Sequence, residues 1–357
     1  MPLIIGGGPA GAAAAIRLLN AGVQPTIVER RAETGDALCG GFISWKTLEQ
    51  LETLGLSWDE LGGHEVTVLH VFSGHSAYAL PLPRRSMALS RRRLDSLLLA
   101  RAVEKGAGVR HATAAYTDGH VRLGSGESLA SDSLFIATGK HDLHGLPRPR
   151  EAAGHDPMLG LRLRLQPSCE LAALLADHIE IHLFRGGYLG VVLQEDGSAN
   201  FCMAVRKSRL AAADGLPAAL FAQLAQDSVY LAERLAGMPA SPDVDAVGRI
   251  PYGWRARSSP PGIFRLGDQA GVIPSLAGEG IGIALASAES AVQFWRQGGG
   301  AAAPAFQRVF ARRLRRPLAA AGLIAALGSN PATAALPLKL LAATPGAAAL
   351  IAGLTRI

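Results

Sequence analysis

Apolar residues at 3–5 stop at a glycine cluster, residues 12–20 then repeat apolar positions at helical spacing, and a second apolar run, 25–28, ends on Glu29. Short apolar runs bounded by turn residues read as buried strands, so the opening pattern is strand, helix, strand. Residues 45–54 and 90–105 predict helices. In the second, Leu94, Leu97, Leu98 and Arg101 recur at helical spacing, with Arg91 in the first turn. Strands are expected over 109–115, over 121–123 before a turn at 124–126, and over 133–137. Two stretches leave this rhythm, 66–82 and 159–249. Within the longer one, 178–184, 188–193 and 199–205 alternate as strands do, separated by the turns Arg185-Gly186-Gly187 and Glu195-Asp196-Gly197-Ser198. His178, Glu180 and His182 share one face of the first of these strands and are expected to face solvent. Residues 216–235 predict a helix that returns through the prolines at 239 and 242. An apolar strand at 262–266 then meets a Gly267-Asp268 turn, and 278–282 opens an Ala-rich helix reaching about residue 295. Residues 317–338 are apolar but interrupted by Ser329, Asn330, Pro331 and Pro337. A membrane span needs roughly 20 unbroken apolar residues, so two packed helices are expected there.

A chain of 357 residues suggests about two domains. With 49 % hydrophobic and 18 % charged residues, a disordered chain is excluded. Cys39, Cys169 and Cys202 contain no C-x-x-C pair, which rules out a disulfide framework and a cysteine-rich zinc site and suits a reducing, cytoplasmic setting. No metal site is expected. A net charge of +6 first suggests nucleic acid as a partner. Its location removes that reading: residues 301–357 carry Arg308, Arg312, Arg313, Arg315, Arg316, Lys339 and Arg356 with no acidic residue, so the first 300 residues are close to neutral. The start of the chain shows no basic and apolar leader, so the protein is expected to stay inside the cell.

Gly6-Gly7-Gly8-Pro9-Ala10-Gly11 fits the G-x-G-x-x-G pattern between a strand and a helix. Gly6 permits the tight turn, Gly8 lets backbone approach a pyrophosphate, and Gly11 lets helix and strand pack closely. Glu29, 18 residues after Gly11, is placed to accept hydrogen bonds from a ribose hydroxyl. Asp268 ends a later strand, where it can bind polyol hydroxyls, and the helix opened by Gly278 and Gly280 can stabilise negative charge on a reduced flavin. Together these indicate FAD. Only one dinucleotide fingerprint occurs, so electrons are expected from transiently bound NAD(P)H or from a separate reductase.

On these residues, and on 89–95, Ala137-Thr138-Gly139 and the segment 267–282, the chain resembles the FAD-dependent oxidoreductases of the geranylgeranyl reductase branch. Their superfamily includes aromatic hydroxylases and flavin-dependent halogenases. The resemblance spans 3–290 and implies an α/β fold. A Rossmann-like FAD-binding domain (1–65, 83–158 and 250–300) would interleave with a mostly antiparallel sheet substrate domain (66–82 and 159–249), and a C-terminal helical segment (301–357) would cover them. It implies FAD contacts from Gly6, Gly8, Pro9, Ala10, Gly11, Glu29, Arg30, Arg91, Gly267, Asp268, Pro274, Gly278, Gly280 and Ile281. Glu29 would bind the adenosine ribose, Arg91 the phosphate and ribityl region and Asp268 the ribityl chain, while Pro274 and the 278–282 turn would border the isoalloxazine.

Cys39 lies in a Cys-Gly segment that in those reductases lines the substrate side of the flavin. It is either a proton donor or a small thiol in a tight turn. Tyr188 lies on a strand similar to the reductases' Gly-Tyr strand and is the other candidate proton donor. Alkene reduction of a hydrophobic small molecule is therefore favoured. The alternative is a monooxygenase hydroxylating a phenolic or polyketide-type ring through a C4a-hydroperoxide, and a third reading is a FAD-binding protein without turnover. Departures from the superfamily pattern are Gly271 where aromatic hydroxylases have His, and Thr138-Gly139 where Asp-Gly is usual. The absence of Trp from 185–191 argues against halogenation. The basic tail reads as a cover over the substrate channel, with peripheral membrane contact as its competing role; oligomeric state is not legible.

Overall fold

The computed structural model describes residues 1–344 and 346–357. Its strands in chain order are β1 (Pro2–Ile5), β2 (Thr26–Glu29), β3 (Phe42–Ile43), β4 (His64–Ser73), β5 (Ser76–Ala88), β6 (Gly108–His111), β7 (Ala114–Thr117), β8 (His120–Leu123), β9 (Ser128–Leu129), β10 (Ser133–Ile136), β11 (Met158–Leu165), β12 (His178–Phe184), β13 (Gly187–Leu193), β14 (Ala199–Arg206), β15 (Val244–Ile250) and β16 (Ile263–Arg265).

Five of them form a parallel sheet in the order β16-β10-β1-β2-β6. A parallel sheet needs both faces covered, and alternation along its strands supplies two apolar faces. Ile4, Ile27, Phe135 and Phe264 pack with the helices Pro9–Asn20, Arg91–Glu104 and Gly280–Gly298. Leu3, Ile5, Val28, Leu134 and Ile263 meet Val121 and Leu123 of the small β7-β8-β9 sheet on the opposite face. A row of rings at centroid spacings of 4.7 and 5.7 Å, Phe135, Phe264 and Phe306, fastens the helix Ala303–Arg313 to the same core.

The second sheet has eight strands in the order β15-β11-β14-β13-β12-β4-β5-β3. Every neighbouring pair is antiparallel except β12 and β4, whose parallel register sets Ile179 beside Leu69 and Ile181 beside Val71. At one end, Phe201, Met203 and Val205 bury against the helices Pro217–Asp227 and Val229–Arg234. The helices Arg315–Gly328, Pro331–Ala343 and Ala347–Thr355 close the other side, where Ala334 and Leu338 meet Val71, Leu80 and Leu183. Among the described residues no single helix is long and apolar enough to cross a bilayer, and the first two of these helices meet at 116°.

Three local expectations change. The apolar run 109–115 divides between two sheets, because β6 pairs with β2 as an edge strand while Ala114 and the residues after it pair with β8. The helix expected over 216–235 breaks at Ser228, whose hydroxyl accepts from the Leu231 amide 3.4 Å away and starts a new helix. The third change concerns β12. His178, Glu180 and His182 do not face solvent; all three are buried. The helix Val229–Arg234 lies over them, with the Arg234 guanidinium 2.8 and 3.0 Å from the two Glu180 oxygens. Period-two spacing identified one shared face, but what covers that face is supplied from about fifty residues away.

Candidate active site

The glycine loop shows three different reasons for glycine. Gly6 has φ +106°, and a Cβ there would stand 2.5 Å from the Ala137 carbonyl oxygen. A Cβ on Gly11 would overlap the Gly6 carbonyl oxygen, so Gly11 serves helix-to-strand packing. Gly8 is different: its Cβ position meets only the Arg91 guanidinium at 3.5 Å and an Asp95 oxygen at 3.7 Å, ordinary contacts that leave room for a methyl group. Pro9 begins the helix Pro9–Asn20, and no side chain caps that helix. Its first amides are therefore free to receive phosphate oxygens.

Glu29 ends β2 and accepts from the Gly7 amide at 2.7 Å, which holds its carboxylate beside the loop. Arg91 is the first residue of the helix Arg91–Glu104, where Ser90 caps the Arg93 amide at 3.1 Å. Its guanidinium is held in a fork by Asp95 at 2.8 and 2.7 Å. Burial raises the Asp95 carboxyl above its usual value even though Arg91 opposes the shift. Gly267, at φ +54°, donates to Ser287 at 2.8 Å and carries Asp268 into the cavity. Gly278, Gly280 and Ile281 line the same cavity, as does Arg30, while Pro274 stands between the lining residues Ile273 and Ser275. Twelve of the fourteen expected cofactor contacts thus line one trough, with Gly11 packed behind it and Pro274 next to it in sequence, and its backbone amides, Arg91 and two carboxylates fit a dinucleotide with an anionic middle and polyol ends.

Cys39 sits at the trough wall, its sulfur 3.5 Å from the Gly41 amide. Asn200 donates to the Cys39 carbonyl at 3.1 Å and Lys140 to the Leu38 carbonyl at 2.8 Å. The unusual 140–144 loop therefore braces the segment that carries Cys39. Tyr188 projects from β13 into the same chamber, 2.5 Å from the Ser275 hydroxyl, which is also 2.5 Å from the Tyr252 hydroxyl. Burial pushes both phenols upward, so they are neutral proton carriers at physiological pH. Cys202 lines the same cavity, and burial pushes its thiol up to about 12. Tyr252 and Ser275 escaped the sequence reading because neither belongs to a periodic element; the only signal was Ser275 following Pro274.

Glu279 and Arg356 were missed as well. Glu279 is buried, and burial raises its carboxyl despite an Arg356 nitrogen at 2.7 Å. Arg356 also donates to the Ala277 carbonyl at 2.8 Å and lies 4.9 Å from the Trp45 ring centroid. This pair ties the last helix to the turn that starts Gly280–Gly298.

Trough and chamber are one cavity of about 1110 Å³, larger than the roughly 300–1,000 Å³ of a typical small-molecule site. Its far end is apolar, formed by Leu69, Val71, Ile181 and Leu183 from the sheet and Ile324, Leu338 and Ile351 from the covering helices. Fold and cavity suit a flavin dinucleotide in the trough, with a second, apolar chamber beside it.

Comparison with known proteins agrees. Residues 2–122 match the family model described as an FAD binding domain. The chain is 28 % identical over 306 residues to digeranylgeranylglycerophospholipid reductase 2 of Methanopyrus kandleri, covering 79 % of this chain and 73 % of that protein. Among solved structures, peptidyl tryptophan dihydroxylase QhpG superposes with a TM-score of 0.68 at 22 % identity, over 96 % of this chain and 78 % of its own. PqsL of P. aeruginosa in complex with 2-aminobenzoylacetate gives 0.70 at 16 % identity, over 96 % and 99 %. The protein is an FAD-dependent oxidoreductase, similar in sequence to digeranylgeranylglycerophospholipid reductases and in fold to flavin-dependent monooxygenases and halogenases.

Proposed function

We propose that the protein reduces a carbon–carbon double bond in a long hydrophobic molecule of isoprenoid type. The observation that carries this reading is the neutral Tyr188–Ser275–Tyr252 hydroxyl chain at the junction between the cofactor trough and an apolar chamber. Likeness to the digeranylgeranylglycerophospholipid reductases supports it. FAD, when bound and reduced, supplies hydride. The backbone of Gly6, Gly8 and Ala10 with Arg91 would hold its phosphates, Glu29 and Asp268 its hydroxyls, and the 274–281 segment its ring. Apolar walls exclude water and orient the alkene. Tyr188 holds a proton at its phenol oxygen for the second carbon, and Ser275 and Tyr252 return one to it; Cys39 is the other donor within the chamber. Electrons come from NAD(P)H bound transiently or from a separate reductase.

The second reading is hydroxylation by a monooxygenase, favoured by the fold shared with PqsL and QhpG. Oxygen separates the two. Photoreduced or dithionite-reduced enzyme mixed anaerobically with a polyprenyl lipid is expected to give a product two mass units heavier. Turnover that requires oxygen and adds sixteen would overturn the reductase reading.

Tyr188→Phe tests the proton donor. General-acid catalysis contributes about 10²–10⁴-fold, so kcat for substrate reduction should fall within that range while the bound-flavin absorbance spectrum is unchanged. An unaltered kcat would move the role to Cys39.

A further inference from the structure

The covering helices are apolar on two sides. Inward, Ile324, Leu327, Leu338, Leu341 and Ile351 line the cavity. Outward, Leu323, Leu336, Leu340, Leu350 and Leu354 are between 57 and 70 % exposed, half of the exposed large hydrophobic side chains among the described residues. A helix between core and water keeps one polar face; Pro331–Ala343 and Ala347–Thr355 present leucines on both. Leu323 and Leu354 are at once exposed and cavity-lining, as are Pro81 and Pro83 of β5, so these four rim an opening. The same region is charged with one sign. Residues 301–357 contain no acidic side chain, Arg312, Arg313, Arg315 and Arg316 are exposed at the start of the cover, and exposed Lys339 stands between Leu336 and Leu340.

We propose that this face docks on an anionic lipid bilayer, with the opening rimmed by Leu323 and Leu354 seated at the acyl boundary to admit substrate from the membrane. Apolar side chains would enter the interface while the arginines meet headgroup phosphates. Docking stands on the exposed face and the charge; only the identity of the admitted molecule rests on the proposed reductase reading.

The test uses full-length, FAD-loaded protein sedimented with vesicles of phosphatidylcholine alone or mixed with phosphatidylglycerol. Binding is expected only to the mixed vesicles at low salt, weakened about fivefold for each arginine replaced by glutamine and strongly reduced by high salt. Leu336→Glu with Leu340→Glu, neither of which lines the cavity, should abolish binding while flavin absorbance and melting temperature hold. A tryptophan introduced by Leu354→Trp should add fluorescence that lipids brominated on their acyl chains quench. No vesicle binding, binding indifferent to the two glutamates, or a concentration-dependent dimer broken by them would overturn the proposal, the last by giving the face to a second copy. Failure of alkene reduction with intact, quenchable docking would instead count against the reductase reading alone.

Discussion

Arg234→Ala should destabilise the protein by about 3–5 kcal/mol, because it leaves a buried carboxylate without its main partner. Total stabilities of domains run at roughly 5–15 kcal/mol, so much of the folded population is at stake. Glu180 receives Arg234 on both oxygens, with His182 at 2.9 Å and His178 at 3.3 Å completing its shell. Ligand atoms of His70, His178 and Glu180 lie within 4.8 Å of one another, yet the arginine already occupies the carboxylate, so the cluster reads as a structural ion pair. Replacing both partners with apolar residues, Arg234→Met with Glu180→Leu, should cost much less than the single change, and equal losses would show that packing of the arginine stem is what matters.

The pH dependence follows from the same shell. Burial would raise the Glu180 carboxyl, but hydrogen bonds from His178, His182 and Arg234 hold it well below the usual range. Its stabilisation is therefore complete above the unfolded carboxyl value near 4.5 and is lost as pH falls below it. His178 works in the opposite sense. Burial would lower it, but Glu180 and Asp177 raise it, so its contribution is complete below the unfolded value near 6.5 and fades as pH rises through the folded one. Burial lowers His70 and His182, which favours folding above that value and offsets His178. Melting temperature against pH should thus show mainly an acid limb, and Arg234→Ala should flatten it. An acid limb of unchanged slope would remove Glu180 from the explanation.

Gly8→Ala and Gly11→Ala should separate cofactor binding from folding. At Gly11 a methyl group must displace either helix or strand, which overpacks the junction by about 1–3 kcal/mol, and melting of the FAD-free protein should fall accordingly. At Gly8 a methyl group makes only ordinary contacts, 3.5 Å to Arg91 and 3.7 Å to Asp95. Melting of FAD-free Gly8→Ala should match wild type within about 0.5 kcal/mol, while FAD affinity, read by flavin fluorescence titration, drops by about tenfold or more as backbone can no longer approach the pyrophosphate. Wild-type FAD affinity in Gly8→Ala would place the phosphates elsewhere.

The first strand, the glycine loop and Glu29 were readable from sequence because their reasons are local: an apolar run, a positive φ, a helix start within eleven residues. The antiparallel strands of the roof were readable from period-two spacing and paired turns. What escaped depends on distant chain. Tyr188, Ser275 and Tyr252 meet across 87 and 23 residues, and Arg356 reaches Glu279 across 77. No spacing rule connects such positions. The same limit misplaced His178, Glu180 and His182, since the charge that makes their burial affordable sits on another helix.

Strand β12 gives its odd positions, Ile179, Ile181 and Leu183, to the cavity, and on its other face His178, Glu180 and His182 to the ion-pair network. Two selective pressures are thereby interleaved residue by residue on one strand yet physically insulated by the thickness of the sheet. Chamber residues can exchange one apolar side chain for another, reshaping which molecule fits, while the charged residues behind them keep the wall standing. Such an arrangement lets a lineage wander through substrates at little risk to its fold, and it tells an engineer which alternate residues to randomise and which to leave alone.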